Sequence, residues 1–320
     1  MVKRTSPIRS AAFGIGMVML LIFTLFPFAQ MLSTSLKFQW DWGNPSLIPR
    51  KVNTGAYAEI LGLNKSEKAL PQSIRDLLAA NPDLTKEQKA AIIAKFQKGG
   101  DVFPFSEYFL NSLIISVLSS AVSVALGIFG AYAFSRTRFR GRSLVQRGTL
   151  FVYMFGGTLL LLPMYKMAVT LGFMKTAGGS LLGLGIVYLA QTLPVALYML
   201  GNYFRTIPFS IEEAAMIDGC SRMQALMRIV LPLSIAAIAT VFIYAFMIAW
   251  NEYLFASVFL RAFKDSYTLT IGLKSLFVSK NAIWDRIMAA SMLTALPVIF
   301  MFMPIQRQFS SGMAEGGVKE

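Results

Sequence analysis

Chemistry on a protein needs nucleophiles, bases, metal ligands or a phosphate cradle, and this sequence is short of all of them. It has no His and one Cys, Cys220. That removes imidazole bases, His-dependent triads, Cys/His metal sites and any internal disulfide. No Gly-Lys dipeptide occurs, so there is no Gly-x-x-x-x-Gly-Lys-Ser/Thr loop to hold a nucleotide phosphate. No catalytic residue, metal or cofactor is expected of this chain. The polar residues that do fall inside apolar stretches are few: Gln191 and Thr192, with Tyr188 before them and Pro194 after, and Asn251 with Glu252 between Trp250 and Tyr253. Hydroxyl, carboxamide and carboxylate groups beside aromatic rings suit a neutral, hydroxylated solute. Two readings stay open for each pair. The first pair either faces a solute or hydrogen-bonds a neighbouring helix. The second either faces a solute or belongs to an interfacial aromatic belt, with Glu252 reaching outward.

A second pattern concerns mechanics rather than chemistry. Ser210-Ile211-Glu212-Glu213 reads as a capping box that starts a short helix at Ile211, and Gly219 suits the left-handed position that ends it. Ser221-Arg222-Met223-Gln224 is another such box, restarting a helix that runs to about Val230 before Leu231-Pro232. The spacing predicts helix, glycine elbow, helix: a stiff handle suited to passing motion into whatever it is attached to.

The elements around it are those of a membrane protein. The 320 residues are 55% hydrophobic and only 14% charged, against roughly 25% charged in soluble domains. Six apolar stretches approach the roughly 20 residues that cross a bilayer: about 11–32, 108–134, 148–172, 180–204, 233–260 and 287–304. The predicted fold is an all-α integral membrane bundle of six helices. The net charge of +14 does not point to nucleic acid, because the basic residues lie mainly between the apolar runs. Lys3, Arg4 and Arg9, then Arg136, Arg138, Arg140, Arg142 and Arg147, then Arg205, Arg222 and Arg228 mark three segments as cytoplasmic. The other side carries the weaker set Lys175, Arg261, Lys264, Lys274 and Lys280. Both termini are placed inside. The first run exceeds a signal peptide's apolar length and no clear small-x-small site follows, so it reads as a retained helix.

The predicted organisation is a cytoplasmic segment 1–10, a first span 11–34, an extracytoplasmic helical insertion 35–107, a five-helix core 108–308 with the handle at 205–232, and a cytoplasmic tail 309–320. The insertion holds 10 basic and 8 acidic residues. Within it, Thr85-Lys86-Glu87-Gln88 opens an amphipathic stretch through Phe96 that Gly99-Gly100 closes, and a second short helix is predicted near Gln72 to Ala80. It is read either as a solvated helical cap or as a docking surface for an extracytoplasmic partner.

The handle resembles a known family. Glu213-Ala214-Ala215, then Gly219, then Ile229-x-Leu231-Pro232 is similar to the EAA signature of permease subunits of binding-protein-dependent ABC importers. Asn111-Ser112, Gly130 to Arg136, Trp250 to Tyr253 and the tail from Ser311 to Lys319 resemble the carbohydrate-importing, maltose-permease G type. The resemblance runs through Tyr57 and from Phe105 to the C-terminus; the link between the first two spans is longer than is usual there. It implies a type I ABC importer permease in a bacterial cytoplasmic (inner) membrane. The implied partners are a second, related permease, two cytoplasmic ATPase subunits that bind the ATP, and an extracytoplasmic binding protein that delivers a sugar. Glu213 would contact the ATPase and Gly219 would let the elbow turn. A self-sufficient secondary transporter or channel is the alternative, but from Tyr108 to Ile211 there is no Asp or Glu to couple an ion.

Overall fold

The computed structural model describes residues 7–63, 85, 88–89, 103–154, 157–278 and 284–316. All regular structure among them is helical. In chain order the helices are α1 (Pro7–Ser35), α2 (Gly55–Ile60), α3 (Phe105–Arg136), α4 (Arg142–Met154), α5 (Gly157–Thr170), α6 (Ala177–Thr206), α7 (Phe209–Ile217), α8 (Arg222–Ala225), α9 (Ile235–Trp250), α10 (Leu254–Phe259), α11 (Leu269–Val278) and α12 (Trp284–Gly316).

Four of these, within Ala11–Ser35, Phe105–Arg136, Ala177–Thr206 and Trp284–Pro304, are long and apolar enough to cross a membrane alone. A fifth is bent: Arg222–Leu233 and Ile235–Trp250 meet at 79°. The six predicted stretches therefore do not become six straight helices among the described residues. The stretch 148–172 is built from α4 and α5, and positions 155–156 between them lie outside the described residues. The stretch 233–260 is broken at 251–253, so α9 alone, at about 1.5 Å per residue, falls short of the hydrocarbon thickness. Its physical cause is Glu252, whose carboxylate accepts the free N–H groups of Phe255 (2.8 Å) and Ala256 (3.0 Å) and so starts α10 as a new helix.

Contacts divide the chain into two units, Met1–Ser106 with Ser275–Leu293, and Glu107–Lys274 with Thr294–Glu320. In the first, α1 buries none of its most apolar window, as a helix that is hydrophobic all round and packed in lipid need not. The chain after it is tied into a knot by buried charge. Lys37 is fully buried and its ammonium donates to the carbonyls of Asn44 (2.8 Å) and Ser46 (2.7 Å). Asp41 accepts from the Arg50 backbone N–H (3.0 Å) and Asn44 Nδ2 (3.1 Å), and the Arg50 amide holds its carboxyl below the usual range. Asn53 Nδ2 reaches Asp285 Oδ2 (3.4 Å), and Glu59 pairs with Arg286. The predicted box at Thr85 is present: Thr85 N donates to Gln88 Oε1 (3.1 Å) and Gln88 N to Thr85 Oγ1 (3.3 Å). The short helix predicted near Gln72 to Ala80 and the Gly99-Gly100 stop lie outside the described residues.

The second unit is organised on α6, whose Leu184, Ala196, Leu200 and Phe204 are fully buried. One apolar cluster joins Leu184, Val187 and Tyr188 to Phe255 and Phe259. Another joins Ala196, Leu200 and Phe204 to Val124 and Ala131 of α3, and to Leu226 and Val230 beyond the elbow. Close approach of α3 to α6 depends on glycine: a Cβ on Gly127 would lie 2.9 Å from Ala196 Cβ, and one on Gly130 would collide with Leu197. Gly127→Ala is therefore expected to cost about 1–3 kcal/mol through overpacking, read as a lowered unfolding midpoint in detergent. Gly185→Ala, in open space on α6, is expected to leave that midpoint unchanged or slightly raised.

Candidate functional site

The handle is a helical hairpin with a glycine at its tip. α7 ends in a Schellman motif, in which Cys220 N donates to Ala215 O (2.9 Å) and Gly219 N to Met216 O (3.1 Å). Gly219 has φ +92°, the left-handed backbone that L side chains avoid. Ser221 then caps α8 reciprocally, with Gln224 N donating to Ser221 Oγ (3.3 Å) and Ser221 N to Gln224 Oε1 (2.8 Å). The predicted box at Ser210 does not form. α7 begins at Phe209 with Pro208 as its N-cap, which puts Ser210 inside the first turn rather than at the cap position.

The holder is the end of α3. Glu212 is buried, and its Oε1 lies 2.7 Å from Arg136 Nη2, with side chains 1% and 8% exposed. Arg136 Nε donates to the same oxygen (2.7 Å), its Nη2 donates to Ile207 O (2.9 Å), and its guanidinium sits 5.6 Å from the centre of the Phe209 ring. One turn back, Tyr132 Oη donates to Glu212 Oε2 (3.0 Å) and lies 3.4 Å from the carbonyl oxygen of Arg222 on the second helix. Two residues four apart on α3 thus grip both arms of the hairpin. What remains free is the outer face: Glu213 and Ala214 are exposed and Ile217, at the tip, is 85% exposed, whereas Ala215 packs inward with Glu212.

Beyond the elbow the chain passes through a π-helical turn, Leu226–Val230, and Leu231–Leu233, then bends at Ser234 into α9. Ile229 is half-buried, Leu231 packs on the core and Pro232 is exposed. The Ser234 hydroxyl, buried, donates to Val230 O (2.6 Å).

The polar residues of α6 and the 251–253 break are partly brought together. Tyr188 Oη donates to Glu252 Oε2 (3.2 Å), and Thr270 Oγ1 to Glu252 O (2.8 Å). Gln191 points toward α5, its amide nitrogen 3.2 Å from where a Cβ on Gly157 would be. Thr192 donates to Tyr188 O within its own helix (2.8 Å), and exposed Asn251 donates to Met247 O (2.9 Å). Asn111 and Ser112 stitch the start of α3 to the loop before α11: Asn111 Nδ2 donates to Asp265 O (2.9 Å), and Ser112 Oγ accepts from Leu269 N (2.7 Å). Among the described residues no group of three or more acidic, His or Cys side chains is placed to hold a metal.

Comparison with known proteins bears on this arrangement. The family described as binding-protein-dependent transport system inner membrane component matches residues 107–315. The chain belongs to that family. It is a multi-pass membrane permease component of a binding-protein-dependent ABC transport system. An Escherichia coli K12 protein named inner membrane ABC transporter permease protein YcjP is 41% identical over 319 residues, 99% of this chain and 98% of that one. The E. coli K12 maltose/maltodextrin transport system permease protein MalG is 36% identical over 220 residues, 68% of this chain and 73% of its own length. A crystal structure of a bacterial ABC transporter involved in alginate import shares the fold, with a TM-score of 0.70 at 21% identity, covering 97% of this chain and 99% of that one.

In this permease component, Glu212 is the acidic residue that sequence reasoning passed over in favour of its neighbour Glu213. The available signal was the pairing of Glu212 with Ala215 on one helix face and of Tyr132 with Arg136 on another. Glu212→Ala leaves Arg136 buried without a counter-charge, an expected loss of about 3–5 kcal/mol. Arg136→Met with Glu212→Leu is expected to recover most of it, and the exposed Glu213→Ala to stay within about 0.5 kcal/mol of the parent. Denaturant or thermal unfolding of the purified chain in detergent reads all three.

Proposed function

We propose that this permease moves a sugar or oligosaccharide inward as one half of a gate driven by ATPase subunits, with the α7–α8 hairpin as the point of coupling. The observation that carries this reading is the clamp of Glu212, Arg136 and Tyr132. A hairpin held at its root and bare at its tip has the form of a lever, and its outer face carries Glu213, Ala214, Gly219 and the fully presented Ile217. Ala215 sets its packing, and Ile229, Leu231 and Pro232 join it to the bent helix beyond. The partners in this reading are a second permease of the same kind, two cytoplasmic ATPase subunits and an extracytoplasmic binding protein. Both termini and the hairpin face the cytoplasm, and residues 35–107 lie outside.

Carbohydrate as cargo is supported by the maltose and alginate systems named among the similar proteins. On the solute path, Gln191 and Asn251 offer amide groups to a hydroxylated solute. Tyr188, Thr192 and Glu252 shape the wall behind them through the Tyr188–Glu252 bond and the Thr192 bond to its own helix.

Two outcomes test this. The chain purified alone is expected to show no ATP hydrolysis, and an affinity-tagged copy to bring down an ATPase, a second permease and a binding protein whose ligand mass spectrometry identifies as a sugar. Gly219→Val, which forces a β-branched residue to φ +92°, is expected to abolish uptake while the protein still inserts. Normal transport by that variant, or azide-insensitive ATP hydrolysis by the chain alone, would overturn the reading.

A further inference from the structure

Between α4 and α6 lies a cleft of about 200 Å³ whose walls are two facing helix stripes. From α6 come Pro194, Leu197, Tyr198, Gly201, Asn202 and Arg205. Their spacing of i, i+3, i+4, i+7, i+8 and i+11 keeps them on one face. From α4 come Ser143, Gln146 and Arg147. The cleft is graded along its length. Along α6 it runs from Pro194 and Leu197 at one end to Asn202 and Arg205 at the other, and Ser143, Gln146 and Arg147 of α4 with Phe134 from the last turn of α3 complete the lining. Pro194 to Arg205 is about 16 Å of helix at 1.5 Å per residue.

The charge in the cleft has no internal answer. Neither Arg147 nor Arg205 has an ion-pair or hydrogen-bond partner among the described residues, and both are exposed. The sequence holds no Asp or Glu from Tyr108 to Ile211. A wider groove of about 650 Å³, with Arg138 and Arg142, adjoins the cleft and shares Ser143, Gln146 and Arg147 with it. The rule that basic residues gather on one side of a membrane explains the number of arginines in one link. It does not explain why two from segments far apart in sequence line the same cleft as Pro194 and Leu197.

We propose that this cleft binds a phosphate-bearing anion, and that the anion is the headgroup of an acidic phospholipid whose chain enters the slot. Guanidinium groups pair with phosphate oxygens in a fork, and basic pockets between membrane helices are suited to such headgroups. Free phosphate shares the headgroup's chemistry but gains nothing from the apolar side chains Pro194 and Leu197, so the mixed lining selects the lipid. The inference does not depend on the cargo or on the hairpin's role.

The full-length protein, purified with the partners it brings, is equilibrated with phosphatidylglycerol, phosphatidylcholine or inorganic phosphate, and retained lipid is read by native mass spectrometry. Phosphatidylglycerol is expected to be retained in preference to phosphatidylcholine and to resist displacement by phosphate. Arg147→Gln with Arg205→Gln is expected to cut retention by more than tenfold, at about fivefold per basic residue near a charged surface. Arg147→Lys with Arg205→Lys keeps the charge but not the guanidinium fork, and its retention is expected to fall between that of the parent and that of the Gln double variant, which separates loss of the site from loss of the fold. Arg140→Gln, an exposed neighbour outside the cleft, is expected to behave as the parent. Equal retention of both lipids overturns the proposal. So does displacement by phosphate at matched concentration, and so does a Gln double variant that binds phosphatidylglycerol unchanged, as it would if a partner subunit filled the cleft.

Discussion

A carboxylate taken out of water at the end of a helix bundle has to be neutralised where it stands, and for Glu212 that is done by Arg136 and Tyr132. The constraint works in both directions. Desolvating the pair is costly, so its geometry has to be good, and good geometry fixes α7 against the last turn of α3 in position and angle. The same guanidinium satisfies the Ile207 carbonyl at the entry to the hairpin, and the same phenol reaches the carbonyl of Arg222 on its return arm. Removing this cluster would leave the hairpin joined to the bundle mainly through its two covalent ends and the apolar contacts of Leu226 and Val230.

The rest of the second unit makes such a lever useful. α6 is packed along most of its length, against α3 at one end and against the 251–259 break at the other. Gly127 lets α3 lie close to α6, so a displacement of α3 is felt by α6 through hard contacts rather than through loose side chains. At the far end of the same helix, Tyr188 is bonded to Glu252 at the place where the fifth apolar stretch is interrupted. A helix broken there and bent by 79° at its other end has two places at which it can turn without unfolding. Hairpin, α3, α6 and the broken helix thus form one mechanical chain between a bare surface and a set of polar groups.

How much of this the sequence disclosed differs by residue. Gly219 and the Ser221–Gln224 cap were legible because each is a local device whose partners lie within a few residues. The Thr85–Gln88 cap was legible for the same reason. The cap expected at Ser210 failed because α7 starts two residues earlier than the box implied, after Pro208, so that Ser210 lies within its first turn. Glu212 was passed over because burial of a carboxylate depends on Arg136 and Tyr132, whose separation in the sequence hides the contact. The break at 251–253 was missed on the same grounds: hydropathy reads straight through 233–260, while a single side chain, Glu252, accepting two backbone N–H groups decides where one helix stops and the next begins.

The central claim is that α7 and α3 move as one body. It is tested most directly by spin labels on Ile217→Cys and Ala125→Cys in a Cys220→Ser background, both positions being exposed. Pulsed electron-electron distance measurements would be made on the reconstituted transporter with and without ATP. The account predicts one narrow distance distribution that is the same in both states, broadening when Glu212→Gln is added. A distribution that shifts with ATP in the parent protein, with Glu212 intact, would contradict it, because the hairpin would then be swinging on α3 rather than carrying it.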